Sequence, residues 1–185
     1  MHKGYSHFHR ITQEKAPELL NLYVEISHGD INKYEYNKEL GLLELDRVLY
    51  GPTFYPVNYC DVPGTWNEGD NDPLDAVLYS SAPILPGVLA KGRVIGIMQM
   101  EDNGEVDHKI VCVNAKDPRY DHVKHVSELT EYERKDLKTF MELYKVAQTG
   151  AQSVKVGEFL GPEEAYKVIL ASIEVYNKKF GKNGN

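Results

Sequence analysis

The stretch GDNDPLDAV, residues 69–77, places three aspartates, Asp70, Asp72 and Asp75, within six positions, just ahead of an apolar run. Carboxylates held this close repel one another, and at least one is expected to have a raised pKa. Either the stretch is a solvated loop in which the charges hardly meet, or positive charge sits among them. A second acidic group, EDNGEVDHK at 101–109, carries Asp102, Glu105, Asp107 and Lys109. Asn-Gly is the strongest short-range hairpin signal. With Asn103 and Gly104 at the turn, Asp102 faces Glu105 and Met100 faces Asp107, so Asp102, Glu105, Asp107 and Lys109 share one face. Asp102 and Asp107 are then diagonal neighbours, roughly 7–8 Å apart at Cβ, in range of one ion or two adjacent ions. Taken alone, an ordinary charged hairpin tip is the simpler reading.

The same face-counting upstream puts Lys33 and Glu35 on one face of a strand, and Arg47 on the face of Leu43 and Leu45. A buried arginine needs an anionic partner. Tyr55 and Tyr59, four apart in FYPVNY, read first as packing. The aspartate run does not match an EF-hand loop: counted from Asp70, position 5 is Leu74, position 6 is Asp75 and position 12 is Ser81. HExxH, GxxxxGK[ST], GxSxG and GxGxxG are all missing. Carboxylates without clustered histidine or cysteine favour hard cations, Mg²⁺ ahead of Mn²⁺. Such ions with Lys, Arg and Tyr nearby are the equipment of phosphoryl chemistry.

These residues need a scaffold, and 185 residues are enough for one domain, 1–185, with a real core. The formal net charge of −7 argues against a nucleic-acid surface, and would repel an anionic substrate unless basic residues or metal ions reverse the field locally. Two cysteines without metal-type spacing fit a reducing cytoplasm. No segment approaches membrane-span length, so no membrane partner is expected. His2, His7 and His9 read as part of a solvated terminus, and His108 and His125 as ordinary polar residues.

The periodicity predicts a helical turn over 14–21, then short strands to about 114. LYVEIS is one strand; NKYEYN and LLELDRVL form a hairpin through 39–41. TFYPVNYCDV, interrupted by Pro56, reads as an edge strand or loop. LDAVLYSS leads to a turn at 83–87, and VLAKGRVIGIMQME with HKIVCVNA forms the clearest hairpin. After residue 127 the period turns helical. Thr130 and Glu133 make a capping box. Leu137, Phe140, Met141 and Tyr144 form an apolar stripe on a helix ending near Gly150, and Pro162 opens a second helix striped by Val168, Ile169, Ile173 and Tyr176. The class is α+β, a mainly β core shaped as a small barrel or bent sheet with two main C-terminal helices outside.

DNDPLDA at 70–76 resembles the Asp-x-Asp-Pro-x-Asp signature of soluble inorganic pyrophosphatases of family I. Further segments resemble that family in its order: VEI with Glu25; KYEYNKELGLLELDRVL with Lys33, Glu35 and Arg47; FYPVNY with Tyr55 and Tyr59; EDNGEVDHK with Asp102, Asp107 and Lys109; YDHVKHVSEL; and LYK with Tyr144 and Lys145. The likeness spans about 21–178, leaving the termini peripheral. Gln152-Ser153 stand where the family usually has Lys-Trp. The resemblance implies an OB-type five-stranded barrel and Mg²⁺-dependent hydrolysis of pyrophosphate to two phosphates. It also implies several ions per subunit, with Mn²⁺ or other divalent ions as substitutes, and a homo-oligomer, a hexamer in bacterial members. By matching position Asp70, Asp75 and Asp107 hold the first metals, Asp75 bridging two. Asp102 joins Asp107 on a metal that arrives with substrate, and Glu25 and Glu35 serve outer metals. Lys33, Arg47, Tyr59, Tyr144 and Lys145 grip the phosphates, with Tyr55 and Lys109 beside them, and Asp72 is the general base.

Overall fold

The computed structural model describes residues 8–37, 40–69 and 71–181. Its strands in chain order are β1 (Leu19–Ile26), β2 (Asn32–Asn37), β3 (Leu42–Val48), β4 (Asn58–Asn67), β5 (Asp72–Tyr79), β6 (Leu89–Asp102), β7 (Glu105–Val106), β8 (Lys109–Asn114) and β9 (Val154–Leu160). The α-helices are α1 (Glu131–Leu143), α2 (Val146–Thr149) and α3 (Pro162–Phe180). β1, β4, β5, β8 and β6 pair in that order, and β6 pairs back with β1, which closes a five-stranded barrel. β5 and β8 run parallel and the other barrel pairs antiparallel. This is a mainly β, OB-type barrel with C-terminal helices, as the resemblance implies.

Alternation along each strand builds two cores. Leu20, Leu22 and Val24 of β1, Cys60 and Val62 of β4, Leu74, Ala76 and Leu78 of β5, and Ile110 and Cys112 of β8 meet inside the barrel, joined by Ala165 and Ile169 of α3. The intervening residues, Val77, Tyr79, Val111 and Val113, face outward and are covered by Leu137, Phe140 and Met141 of α1. Strands buried on both faces lose the apolar–polar alternation of a solvated sheet, hence the unbroken run in KIVCVN.

The helices start where their caps dictate. Thr130 Oγ1 accepts the Glu133 backbone N–H at 3.2 Å, and Glu133 Oε2 accepts the Thr130 N–H at 2.8 Å. Pro162 opens α3, with Glu163 and Glu164 in its first turn and Lys178 and Lys179 in its last, each complementing the dipole. The helical path expected to reach Gly150 is interrupted. α1 ends at Leu143, and α2 closes on Gly150 at φ 75°.

Three expectations change. Residues 14–18 form turns, and β1 already begins at Leu19, because Leu20 and Leu22 belong to the barrel interior. The segment around Pro56 is a loop, but β4 after it lies between β1 and β5, not at an edge. It tolerates Pro63 because the β4–β5 register shifts between Val62 and Asn67. The region after 127 is not wholly helical: β9 lies between the helices and pairs with β6. The expected turn at 39–41 falls partly, and His2 and His7 wholly, outside the described residues.

Candidate active site

The outward face that α1 leaves uncovered carries the polar residues. On β5 it presents Asp75, on β4 Tyr59 and Asp61, on β8 Lys109 and on β6 Asp102. Two adjoining cavities open there. One, about 170 Å³, lies against α1 and is lined by Tyr55, Tyr59, Asp75, Asp102, Asp107, Lys109, Tyr144 and Lys145, among others. The second, about 300 Å³, lies under the β2–β3 hairpin and is lined by residues including Glu25, Glu35, Asp61, Asp72 and Asp75. Lys33, Tyr59 and Asp75 border both, so the two are chambers of one cleft.

Local irregularities aim these groups. Val24 pairs with Cys60 and Ile26 with Tyr59, so Glu25 is the extra residue of a bulge in β1. Its Oε1 accepts the Tyr36 backbone N–H at 2.8 Å, which ties β1 to the hairpin. Asn71, at φ 59°, turns the chain into β5 at Asp72; Asn tolerates that left-handed geometry better than most residues. Asn103 and Gly104, at φ 52° and 85°, form the expected hairpin turn, with Asp102 opposite Glu105. Tyr144 and Lys145 enter the cleft at the break between α1 and α2.

Each lysine lining the cleft is paired with a carboxylate. Lys109 Nζ stands 2.5 Å from both Asp75 Oδ2 and Asp107 Oδ1. Burial pulls the Lys109 pKa down, but the two carboxylates outweigh it and hold it above the ordinary lysine value. Lys145 ion-pairs with Asp102, and Lys33 with Glu35 and, at 3.3 Å, with Asp46. Burial, followed by the charge of Asp75, pushes the Glu25 carboxyl up to about 8. Burial and then Asp75 and Asp107 raise the Tyr59 phenol well above its usual value. Tyr55 packs at a tilt against Phe140, ring centroids 4.7 Å apart, and Phe140 stacks at 5.1 Å on Tyr144. Burial raises the Tyr55 pKa most, Tyr144 adds to that, and the Arg47 charge opposes it.

Two expected residues stand apart. Arg47 lines neither chamber and is paired with Asp46. The face-count from the sequence also changes: Arg47 lies opposite Lys33 and Leu45 opposite the next residue, Tyr34, so Asp46 is the extra residue of a bulge and Arg47 does not share a face with Leu45. Asp70 lies outside the described residues. Glu105 lines a broader cavity of about 630 Å³ beyond the hairpin tip, which shares Asp102 and Asp107 with the cleft. Asp61 was not expected. It is buried, opposite Asp75 across the β4–β5 ladder, in the chamber of Glu25 and Asp72. Its position two residues after Tyr59 on one strand was the available signal.

Among the described residues no three His, Cys, Asp or Glu side chains stand grouped as a ready metal cage. The donor set nonetheless suits hard divalent cations. It is all oxygen, its carboxylates raise one another's affinity for positive charge, and Asp75 and Asp107 already share one ammonium. The cleft therefore joins cation-seeking carboxylates to anion-seeking Lys and Tyr groups within one concavity.

Comparison with known proteins gives the same direction. The inorganic pyrophosphatase family model matches residues 22–177. An inorganic pyrophosphatase of Picrophilus torridus is 37% identical over 179 residues, covering 96% of this chain and 99% of that protein. One from Geobacillus stearothermophilus is 39% identical over 162 residues, covering 88% and 96%. The crystal structure of inorganic pyrophosphatase from Thermus thermophilus superposes with a TM-score of 0.84 at 39% identity, covering 89% of this chain and 94% of that one. With the barrel, the cleft and these relatives in agreement, the chain belongs to the inorganic pyrophosphatase family.

Proposed function

We propose that this chain hydrolyses inorganic pyrophosphate to two phosphates in the cleft between α1 and the β2–β3 hairpin, with Mg²⁺ as cofactor and Mn²⁺ as a substitute. The observation that carries the reading is Asp75, which borders both chambers and faces Lys109 on one side and the Glu25–Asp72 group on the other. Asp70, Asp75 and Asp107 would hold the first cations. Asp102 would join Asp107 on one that enters with substrate, and Glu25 and Glu35 would hold outer ones. Bound divalent cations supply neutralising charge and lower the pKa of water beside them.

The protein's own groups do the rest. Asp72 takes the proton of the attacking water as its oxygen bonds to phosphorus and the bridging P–O bond breaks. Lys33 and Lys145 neutralise the departing phosphate as its charge grows, and Arg47, which lines neither chamber, would join them by leaving Asp46. The Tyr59 and Tyr144 hydroxyls donate hydrogen bonds to phosphate oxygens while their rings stay packed, Tyr144 on Phe140 and Tyr59 edge-on to Tyr55. Tyr55 buttresses that stack, and Lys109 spaces Asp75 from Asp107.

No described helix is long and apolar enough to cross a membrane. A cytoplasmic homohexamer fits the family reading, and light scattering near six times the 21.0 kDa chain mass would support it. The direct test is phosphate release from pyrophosphate by the purified protein. Release requires Mg²⁺, stops with chelator, and falls roughly 10²- to 10⁴-fold in Asp72→Asn. Full activity in that variant removes Asp72 as the base, and absence of release from the wild type removes the function.

A further inference from the structure

The Asp102 carboxylate is held from both ends of one short segment, residues 145–153, which leaves α1, forms α2 and enters β9. At the start of the segment, Lys145 Nζ pairs with Asp102 Oδ2. At its end, the Ser153 hydroxyl donates to Asp102 Oδ1 at 3.2 Å. The Ser153 carbonyl also accepts the Asn103 backbone N–H at 3.0 Å, and the Asn103 side-chain amide donates to the same Oδ1 at 3.1 Å. The two carboxylate oxygens are therefore treated differently. Oδ1 meets neutral donors fixed by the β6–β9 ladder, in which Asp102 lies opposite Val154. Oδ2 meets a lysine on a flexible stem that borders the cleft.

Lysine and serine respond differently to an arriving anion. The ammonium is drawn to phosphate and can leave Asp102, because its stem is long and its charge is attracted elsewhere. The hydroxyl is neutral and sits beside a backbone hydrogen bond that fixes its position. Asn103 is part of the same exposed turn as Asp102 and moves with it, whereas Ser153 ties the carboxylate to another strand.

We propose that Ser153 is a positioning residue: it pins Oδ1 of Asp102 so that Oδ2 is presented to a divalent cation once Lys145 turns to the substrate phosphate. The inference rests on the pyrophosphatase reading, in which Asp102 serves the cation that enters with substrate. Outer groups that orient a metal-binding carboxylate or histidine typically change metal affinity 10- to 100-fold when removed. For one hydroxyl about tenfold is expected.

The test measures Mn²⁺ binding by calorimetry to the full chain, with and without imidodiphosphate, a pyrophosphate analogue that resists hydrolysis. Ser153→Ala should weaken the Mn²⁺ binding seen with the analogue about tenfold. It should leave unchanged the binding seen without the analogue and the midpoint of thermal unfolding. Ser153→Thr, which keeps the hydroxyl, should restore wild-type affinity. In turnover, Ser153→Ala should raise the Mg²⁺ concentration for half-maximal phosphate release while kcat at saturating Mg²⁺ stays the same. Unchanged affinity in Ser153→Ala overturns the proposal. So does equal loss in both variants, a loss matched by a lower unfolding midpoint, or a wild type that gains no Mn²⁺ site with imidodiphosphate. A wild type that binds Mn²⁺ with the analogue yet releases no phosphate overturns the proposed function instead, and the binding series still decides the role of Ser153.

Discussion

Lys109 is 2% exposed and carries its charge into the protein because Asp75 and Asp107 each stand 2.5 Å from its Nζ. Removing one member of a buried ion pair leaves the others uncompensated and commonly costs about 3–5 kcal/mol. Here the two aspartates keep 23% and 26% of their side-chain surface, so water offsets part of the loss. Lys109→Met should therefore destabilise the metal-free protein by about 2–3 kcal/mol. The deficit should shrink when Mg²⁺ is added, because the cation replaces the ammonium among the oxygens. Urea unfolding with and without Mg²⁺ measures both values, and an identical deficit in the two conditions would count against cation binding by Asp75 and Asp107. The spacing of Asp70, Asp72 and Asp75 suggested cation chemistry in the sequence, and of these the structure places Asp72 and Asp75 in the cleft; the hairpin turn gave Asp102 and Asp107 a common face. The ammonium bridge between Asp75 and Asp107 was hidden, because Lys109 and Asp75 are 34 residues apart and meet only when β5 lies beside β8. Asp61 escaped for a related reason: an acidic residue inside the apolar run NYCDV reads as a strand end until its chamber exists.

Elements were legible where one face is solvated or a cap is explicit. The capping box at Thr130, the Pro162 start and the Asn103-Gly104 turn all name their structure locally. β9 does not, since VKVGEFL is short and its partner β6 lies more than 50 residues earlier. Nor does the interior position of β4, where Pro56 suggested an edge strand or a loop and the pairing with both β1 and β5 exists only in three dimensions. The same long-range pairing explains Gly96. A Cβ there would overlap the Leu160 carbonyl oxygen of β9 and stand 2.9 Å from Val126 Cβ. Since the first obstacle is backbone, Gly96→Ala should cost about 1–3 kcal/mol by forcing β9 away from β6. Hydrogen exchange should show the loss in the β9 amides ahead of those of β5 and β8. A variant as stable as the wild type would mean that β9 packs less closely than described.

At the scale of the molecule the excess of acid over base becomes a question of pH and cations. Glu25 is raised from an ordinary value of 4.5 to about 8 by burial and by Asp75. A carboxyl raised by folding favours the native state while protonated. Its contribution is complete below about pH 4.5 and is lost as pH climbs to about 8. The metal-free protein should accordingly unfold at lower urea concentration at pH 8 than at pH 5, and Glu25→Gln should flatten that slope. Added Mg²⁺ should restore stability at the alkaline end by binding the native state alone. A wild-type slope matched by Glu25→Gln would assign the effect elsewhere.

The barrel strands carry cleft groups on one side and interior filling on the other, a single residue out of phase: Asp75 follows Leu74 and precedes Ala76. Slippage of β5 by one position would bury the aspartate in the oily centre and expose leucine to substrate, so faulty threading and lost turnover are the same event. For chains refolded from denaturant, the specific activity of the pool therefore counts the molecules whose strands found their proper alignment.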